Sequence, residues 1–477
     1  MKYFKYSSVF FIIVCALLII RQEWEYDEAW SYIEVTHNTP YELIQYAHFT
    51  LANNHIINSL FIKLIQSFGV ENVIFYRVLS FCSLFIYSIY YYKFIKLKLK
   101  NADDDGKGVA QFPIVYFLPY ILPFFYQFSQ ARGYSLAIAG NMASIYYFFK
   151  LCDRYSTKNT VLFIVFGALS SLSIFSFIFP FASMLIFITL KKRKDILIKL
   201  KSPIYALAHI MMLFFLLLVV YYIYEIGKAL NTYDLCIAGG NSLFKSGMLS
   251  SLFSFLALQG IVTNHLFFIV IRTSIFITLI PALYILYKNI KMPNEHKLFI
   301  LTILLILISH FFFKSKYPFT RTISYLLLFF YLPFLVLNIK NKTHKFIYNI
   351  HFFLLISIGL YGIAALFRTA FSKNTYGALA YINNNFPNVP IFFDLHNPNI
   401  DLYNQFYFQG KLPVKTRNGA IDEIIDSNKN QSFVLVSQDD STNTYTAHNL
   451  VKTGYVFDNS LAIFVFKPKS APVQIKN

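Results

Sequence analysis

The side chains best equipped for chemistry fall in three short stretches, each set between long apolar runs. The first is Trp24-Glu25-Tyr26-Asp27-Glu28-Ala29-Trp30, preceded by Glu23. It sets carboxylates among aromatic rings. A carboxyl partly withdrawn from water has its pKa raised toward the range useful to a general base. The second is Lys314-Ser315-Lys316-Tyr317-Pro318-Phe319-Thr320-Arg321. Pro318 suits the first turn of a helix. Lys316 and Arg321 would then flank a helix N-terminus, where backbone N–H groups and the dipole favour an anion, and arginine offers a fork matched to phosphate oxygens. His310 lies one helical turn before Lys314, on the same face. The third stretch is Gln127-Phe128-Ser129-Gln130-Ala131-Arg132-Gly133-Tyr134, in which Arg132 precedes the next apolar run.

Other polar residues carry weaker signals. His55 lies in a partly apolar stretch at 52–69, interrupted by Asn53, Asn54, Asn58 and Lys63. Arg77 and Arg272 lie at or within apolar runs, where a cation is costly enough to point to function. Asp103-Asp104-Asp105 reads as a solvated acidic run. Cys15, Cys82, Cys152 and Cys236 are scattered without metal-ligand or disulfide spacing. No phosphate-binding glycine loop, zinc-protease motif or nucleophile elbow occurs.

The elements that must position these groups are membrane spans. Of 477 residues, 56% are hydrophobic and 14% charged, against roughly 25% charged in soluble domains. Apolar runs long enough to cross a bilayer occur near 5–21, 72–96, 109–129, 133–151, 160–175, 177–191, 203–224, 264–287, 298–314, 319–338 and 346–367, which makes about eleven. The segments 160–175 and 177–191 are short and joined at Ser176. The stretch 52–69 reads as an interfacial helix. The start, Lys2 to Ile20, is followed by Arg21-Gln22-Glu23 and not by a small-residue cleavage site, so it reads as a retained span.

The net charge of +19 could suggest nucleic acid, but the basic residues sit in short loops between apolar runs. With the N-terminus in the cytoplasm, every inner loop is basic: Lys93 to Lys107, Lys150 to Lys158, Lys191 to Lys194, Lys288 to Lys297, and Lys340 to Lys345. That agrees with the positive-inside rule. Lys314, Lys316 and Arg321 are then exceptions on the outer face, which they share with Asp27 and Glu28. Residues 370–477 differ in composition, with β-like runs at Ile391–Phe393, Phe433–Val436 and Leu461–Phe466. They read as a soluble α/β domain outside the cytoplasm. The expected architecture is a polytopic α-helical membrane protein. It has a transmembrane domain over 1–369, whose first outer loop, 22–71, carries interfacial helices, and an α/β extracytoplasmic domain over 370–477.

The ordered set of motifs resembles the GT-C membrane glycosyltransferases, in the branch of protein O-mannosyltransferases and lipid A aminoarabinose transferases. Asp27-Glu28 after the first span looks like that family's acidic motif. Asn54-His55-Ile56-Ile57-Asn58-Ser59-Leu60, then Gly69 and Arg77, is similar to its His-containing interfacial helix and following Arg, though without the usual prolines. Gln130-Ala131-Arg132-Gly133-Tyr134-Ser135-Leu136 resembles its Arg-x-Tyr-x-Leu segment. Pro318-Phe319-Thr320-Arg321 with Pro333 resembles its late Arg-containing span, and Asp401 to Phe408 a segment of its outer domain.

The resemblance implies a polyprenyl-phosphate-linked sugar donor, an active site at the outer interface and inversion at the anomeric carbon. It places Asp27 as general base with Glu28 as its partner, and Arg132, Lys314, Lys316 and Arg321 on the donor phosphate. His55, Tyr134 and Arg77 would line the substrate site, and Glu28 with His55 could share a divalent metal ion. It also implies a bacterial inner membrane and an acceptor that is a glycan, a lipid or a protein. A transporter or flippase of lipid-linked sugars, an O-antigen-type polymerase and a membrane scaffold are the rival readings.

Overall fold

The computed structural model describes residues 2–21, 26–45, 55–70, 72–104, 124–232, 265–289, 293–313, 317–318, 322, 324–336, 341–371, 374–386, 388–393, 414–415, 432–437, 450–457 and 461–468. Packing divides the chain into two units. One comprises Met1–Arg21 and Glu34–Phe367, the other Gln22–Ile33 and Arg368–Asn477.

The first unit is helical. Its N-terminal part holds α1 (Lys2–Arg21), the later residues of α2 (Tyr26–His37), α3 (Pro40–Gln45), α4 (Ile56–Ser67) and the long α5 (Val73–Asp104). A short α6 (Phe124–Gln127) leads into α7 (Tyr134–Asp153) and α8 (Thr157–Ser173). Ser156 caps α8 by accepting from the Asn159 N–H at 3.3 Å. A single 3-10 turn, Phe175–Phe177, separates α8 from α9 (Ile178–Lys191), so the chain breaks at Ser176. Then come α10 (Arg193–Leu200), bent 77° from the preceding helix, and α11 (Pro203–Thr232). The unit is completed by α12 (His265–Asn289), α13 (Asn294–Phe313), α14 (Ser324–Tyr331), a 3-10 stretch Leu332–Val336, and α15 (Lys342–Phe371).

Among the described residues, five helices are long and apolar enough to cross a membrane, or up to six if the bent pair counts as one span. The expected run at 109–129 lies mostly outside the described residues. The runs at 160–175 and 177–191 form helices of 17 and 14 residues. Among the described residues of the run at 319–338, the eight-residue α14 passes into the 3-10 stretch containing Pro333, whose missing N–H removes an i→i−4 hydrogen bond. Large apolar side chains stand open along these helices: Phe214 on α11, Ile280 on α12, Phe312 on α13 and Phe353 on α15 are each more than three-fifths exposed. Along Tyr205–Gly227, Val219 and Ile226 are the buried side chains among the described residues. Apolar surface on that scale needs a lipid solvent.

The core of the bundle is α7, which packs most extensively on α8 and α5. Small residues let the backbones approach: Ser170 Oγ donates to the Ala137 carbonyl at 2.6 Å, and Ser144 Oγ to that of Phe163 at 3.3 Å. The lysine-bearing ends meet at one end of the bundle. There Lys98 Nζ on α5 lies 2.7 Å from Glu295 on α13 and 3.7 Å from the Phe149 ring centroid of α7, while Lys192 donates to the Asp153 carbonyl at 3.4 Å.

The second unit holds α16 (Asn374–Asn385) and a five-stranded mixed sheet. Its strands are β1 (Ile391–Phe393), β2 (Val414–Lys415), β3 (Phe433–Ser437), β4 (Leu450–Phe457) and β5 (Leu461–Pro468), in the order β2-β1-β3-β5-β4. The pairs β1–β2 and β1–β3 are parallel, whereas β3–β5 and β4–β5 are antiparallel. All three β-like runs of the sequence form strands. Ile391, Phe433 and Val434 are fully buried.

Candidate functional site

The end of the bundle opposite the lysines gathers polar side chains from segments far apart in the chain. Between α6 and α7 the chain makes two tight turns, with the Ser129 N–H donating to the Tyr126 carbonyl at 3.2 Å and the Arg132 N–H to that of Gln130 at 2.8 Å. Every residue from Gln127 to Ile145 is buried. A loop with its backbone inside an apolar bundle must find internal partners for its carbonyls. Asn58 on α4 supplies one, donating from Nδ2 to the Ala131 carbonyl at 2.8 Å. The Arg132 carbonyl accepts from Ser80 Oγ on α5 at 3.2 Å and from Ser135 Oγ at 3.3 Å.

This framework aims Arg132 at His55, 77 residues away in sequence. His55 occupies the N-cap position of α4, yet its side chain makes no capping bond. Instead its Nε2 faces Arg132, 3.2 Å from Nε and 2.9 Å from Nη2. Both side chains are buried, at 7% and 2% exposure. The guanidinium lies 5.1 Å from the Tyr134 ring centroid, and the rings of Tyr134 and His55 meet edge to face at 5.0 Å. His55, Arg132 and Tyr134 thus form one cluster, a cation held between an imidazole lone pair and an aromatic face.

Gly133 makes the cluster possible. A Cβ there would stand 2.6 Å from the Ser173 carbonyl oxygen and 2.8 Å from the Cβ of His55. The same α8–α9 turn reaches further along the chain, since Ser176 Oγ donates to the Thr322 carbonyl at 2.7 Å. Thr322 directly follows Arg321. Nearby, the rings of Phe177 and Tyr325 pack at 4.9 Å, and those of His310 and Tyr317 stack at 4.1 Å.

The remaining expected residues are placed differently. Arg77 is fully buried on α5, one turn before Ser80, and its Nη1 donates to the Ile19 carbonyl of α1 at 3.1 Å. That bond ties two helices together at the same end of the bundle. Asp27 and Glu28 lie in the first turn of α2, within the second unit; Glu28 is 1% exposed, and the Asp27 side chain lies outside what the structure describes. Lys314, Lys316 and Arg321 also lie outside the described residues. Arg272 is half-buried on α12.

Ser80 and Ser173 were not singled out by the sequence, and Asn58 and Gly133 stood there only as members of longer stretches, with no role. Asn58 and His55 are one turn apart and so share a face of α4, which is a legible spacing. A serine and a glycine in apolar helices give no such signal. Gln127 is also fully buried, and both its amide atoms lack a hydrogen-bond partner.

The cluster bears directly on a metal ion at His55. Arginine is never deprotonated, so its N–H groups can only donate, and Nε2 must accept. A neutral imidazole with an accepting Nε2 carries its proton on Nδ1 and has no second lone pair. The residues present here do not fit a metal ligand at His55. Among the described residues no group of three or more His, Cys, Asp or Glu side chains could hold a metal ion.

No family model matches the chain, and no curated protein matches it. Among solved structures it is similar to the crystal structure of ArnT from Cupriavidus metallidurans in the apo state, with 12% sequence identity over 98% of this chain and 99% of that one and a TM-score of 0.45. A likeness that distant carries no functional weight, and the reading that follows rests on this chain's own residues.

Proposed function

We propose that the chain is a membrane glycosyltransferase that moves a sugar from a polyprenyl-phosphate donor to an acceptor hydroxyl, with inversion at the anomeric carbon. One observation carries the reading. Arg132 and Tyr134 come from one of the segments that carry the sequence resemblance and His55 from another, 77 residues away, and the two segments meet at the end of the bundle opposite its lysines. With the lysines facing the cytoplasm, that end is the outer face of a bacterial inner membrane, and residues 370–477 form an extracytoplasmic domain.

The reaction needs a proton acceptor and a home for departing negative charge. Asp27 takes the proton of the acceptor hydroxyl, and Glu28 holds Asp27 in place. The acceptor oxygen then attacks the anomeric carbon from the face opposite the phosphate. The bond between that carbon and the phosphate oxygen breaks, and the electron pair leaves with the polyprenyl phosphate. Arg132, together with Lys314, Lys316 and Arg321, meets the phosphate with charge-assisted hydrogen bonds. Tyr134 and Arg77 shape the walls around the donor.

The test is transfer of radiolabelled sugar from synthetic polyprenyl-phosphate sugars by the purified chain in nanodiscs. Asp27→Asn should abolish transfer and leave the melting profile in place; wild-type turnover in that variant would sink the assignment. Arg321→Ala should raise the KM for donor. Movement of the lipid-linked sugar across the bilayer without any transfer would mark a transporter instead.

A further inference from the structure

We infer that His55 is a positioning residue, the acceptor that orients the Arg132 guanidinium, and that it is not a ligand of a metal ion. Three observations converge on this. His55 stands at a helix N-cap, where a short polar side chain usually accepts from the first-turn N–H groups, and it makes no capping bond. Its Nε2 receives two of the five guanidinium donors, at 3.2 and 2.9 Å. The approach is built into the backbone, because Gly133 has no room for a Cβ against His55 and Ser173.

The electrostatics point the same way. A lone pair on both ring nitrogens exists only in the imidazolate anion, so His55 cannot accept from Arg132 through Nε2 and bind a metal through Nδ1 as a neutral ring. A dication on that ring would also sit beside a guanidinium that cannot lose its charge. Arg132 in turn gains a fixed plane. A buried arginine stem has several rotamers, and the imidazole lone pair together with the Tyr134 face, 5.1 Å away, selects one of them. Its donors then point in a set direction before any anion arrives, which lowers the ordering cost of binding.

The phosphate part of this inference rests on the proposed transfer reaction; the metal part does not. The test uses the full chain in nanodiscs with two probes, undecaprenyl phosphate and zinc chloride. His55→Phe keeps an aromatic ring against Tyr134 and removes the acceptor. His55→Gln restores an acceptor oxygen. His55→Phe should weaken undecaprenyl phosphate binding by about tenfold or more, the effect of losing a hydrogen bond to a charged group, and His55→Gln should recover most of it. Should His55→Phe fail to fold, His55→Ala with and without added imidazole takes its place. Zinc uptake should be the same in wild type and His55→Gln.

Two results overturn the inference: His55→Gln binding undecaprenyl phosphate as poorly as the variant without an acceptor, or wild type holding one equivalent of zinc that His55→Gln loses. If wild type does not bind undecaprenyl phosphate at all, the transfer reaction falls, and the zinc comparison still decides what His55 does.

Discussion

Gly133→Ala isolates the close approach on which the cluster depends. The residue has φ −68° and ψ −12°, ordinary helical values that alanine adopts without strain, so the effect is steric. The new Cβ would meet the Ser173 oxygen at 2.6 Å and the His55 Cβ at 2.8 Å. Both are backbone or backbone-proximal atoms that cannot swing aside. Relief to about 3.5 Å, where non-bonded contacts become favourable, requires the start of α7 to retreat by roughly 0.9 Å. The same movement would lengthen the 2.9 Å contact between Arg132 Nη2 and His55 Nε2 by up to about 0.9 Å, to the limit of hydrogen-bonding range or past it. Overpacking of this kind costs about 1–3 kcal/mol, and loss of the Arg132 bond adds to it. The apparent melting temperature in nanodiscs should fall clearly, and undecaprenyl phosphate binding should weaken with it. Gly227→Ala is the control, since a Cβ there meets nothing within 4 Å. It lies inside α11 and should be neutral or stabilising by up to about 1 kcal/mol. A Gly133→Ala protein that melts and binds like wild type would show that α4, α7 and α8 do not meet at this glycine.

Gln127→Leu should raise the melting temperature. Gln127 is fully buried with both amide atoms unpartnered, and an apolar side chain of similar size removes a penalty of about 1–3 kcal/mol; a lower melting temperature would mean that the amide has a partner. Lys98→Met should cost about 3 kcal/mol or more, because it leaves Glu295, whose side chain is 3% exposed, without its counter-ion. Lys98→Met/Glu295→Gln should recover much of that loss in the same melting assay. Ser156→Ala should cost about 1 kcal/mol through the lost α8 cap, and a change confined to the noise would show that the Asn159 N–H finds another acceptor.

The helical elements were legible wherever an apolar run stands alone. The runs at 72–96, 133–151, 264–287 and 298–314 correspond to α5, α7, α12 and α13, since twenty apolar residues leave the backbone no partner but itself. The break at Ser176 was visible too, as a polar residue between two short runs. What composition could not show is the grouping of Gln22–Ile33 with Arg368–Asn477, which depends on tertiary packing and leaves no local mark. Within the site, Arg132 drew notice as a cation in the link before an apolar run, and His55 as an imidazole in a partly apolar stretch. Their mutual contact was not readable, because it is fixed by Asn58, Ser80 and Gly133, residues that look like ordinary interruptions of hydrophobic sequence. The same holds for Gln127, whose place at the end of an apolar run does not tell whether its amide is solvated or buried.

The hydrogen bond from Ser176 to Thr322 joins positions 146 residues apart, and this has a consequence for biosynthesis. When α8 and α9 leave the ribosome, the turn between them can already receive Gly133, which comes earlier in the chain. Its other partner has not yet been made. The nascent protein therefore passes through a stage in which the His55–Arg132 half of this face can form while the Thr322 side is missing. Closing so long a loop adds little beyond a loop half as long, about 0.6 kcal/mol per doubling, so the delay is set by translation and insertion more than by entropy. A chain released before α14 would carry its buried arginine on an unfinished face, and quality control in the membrane would meet the protein in that form.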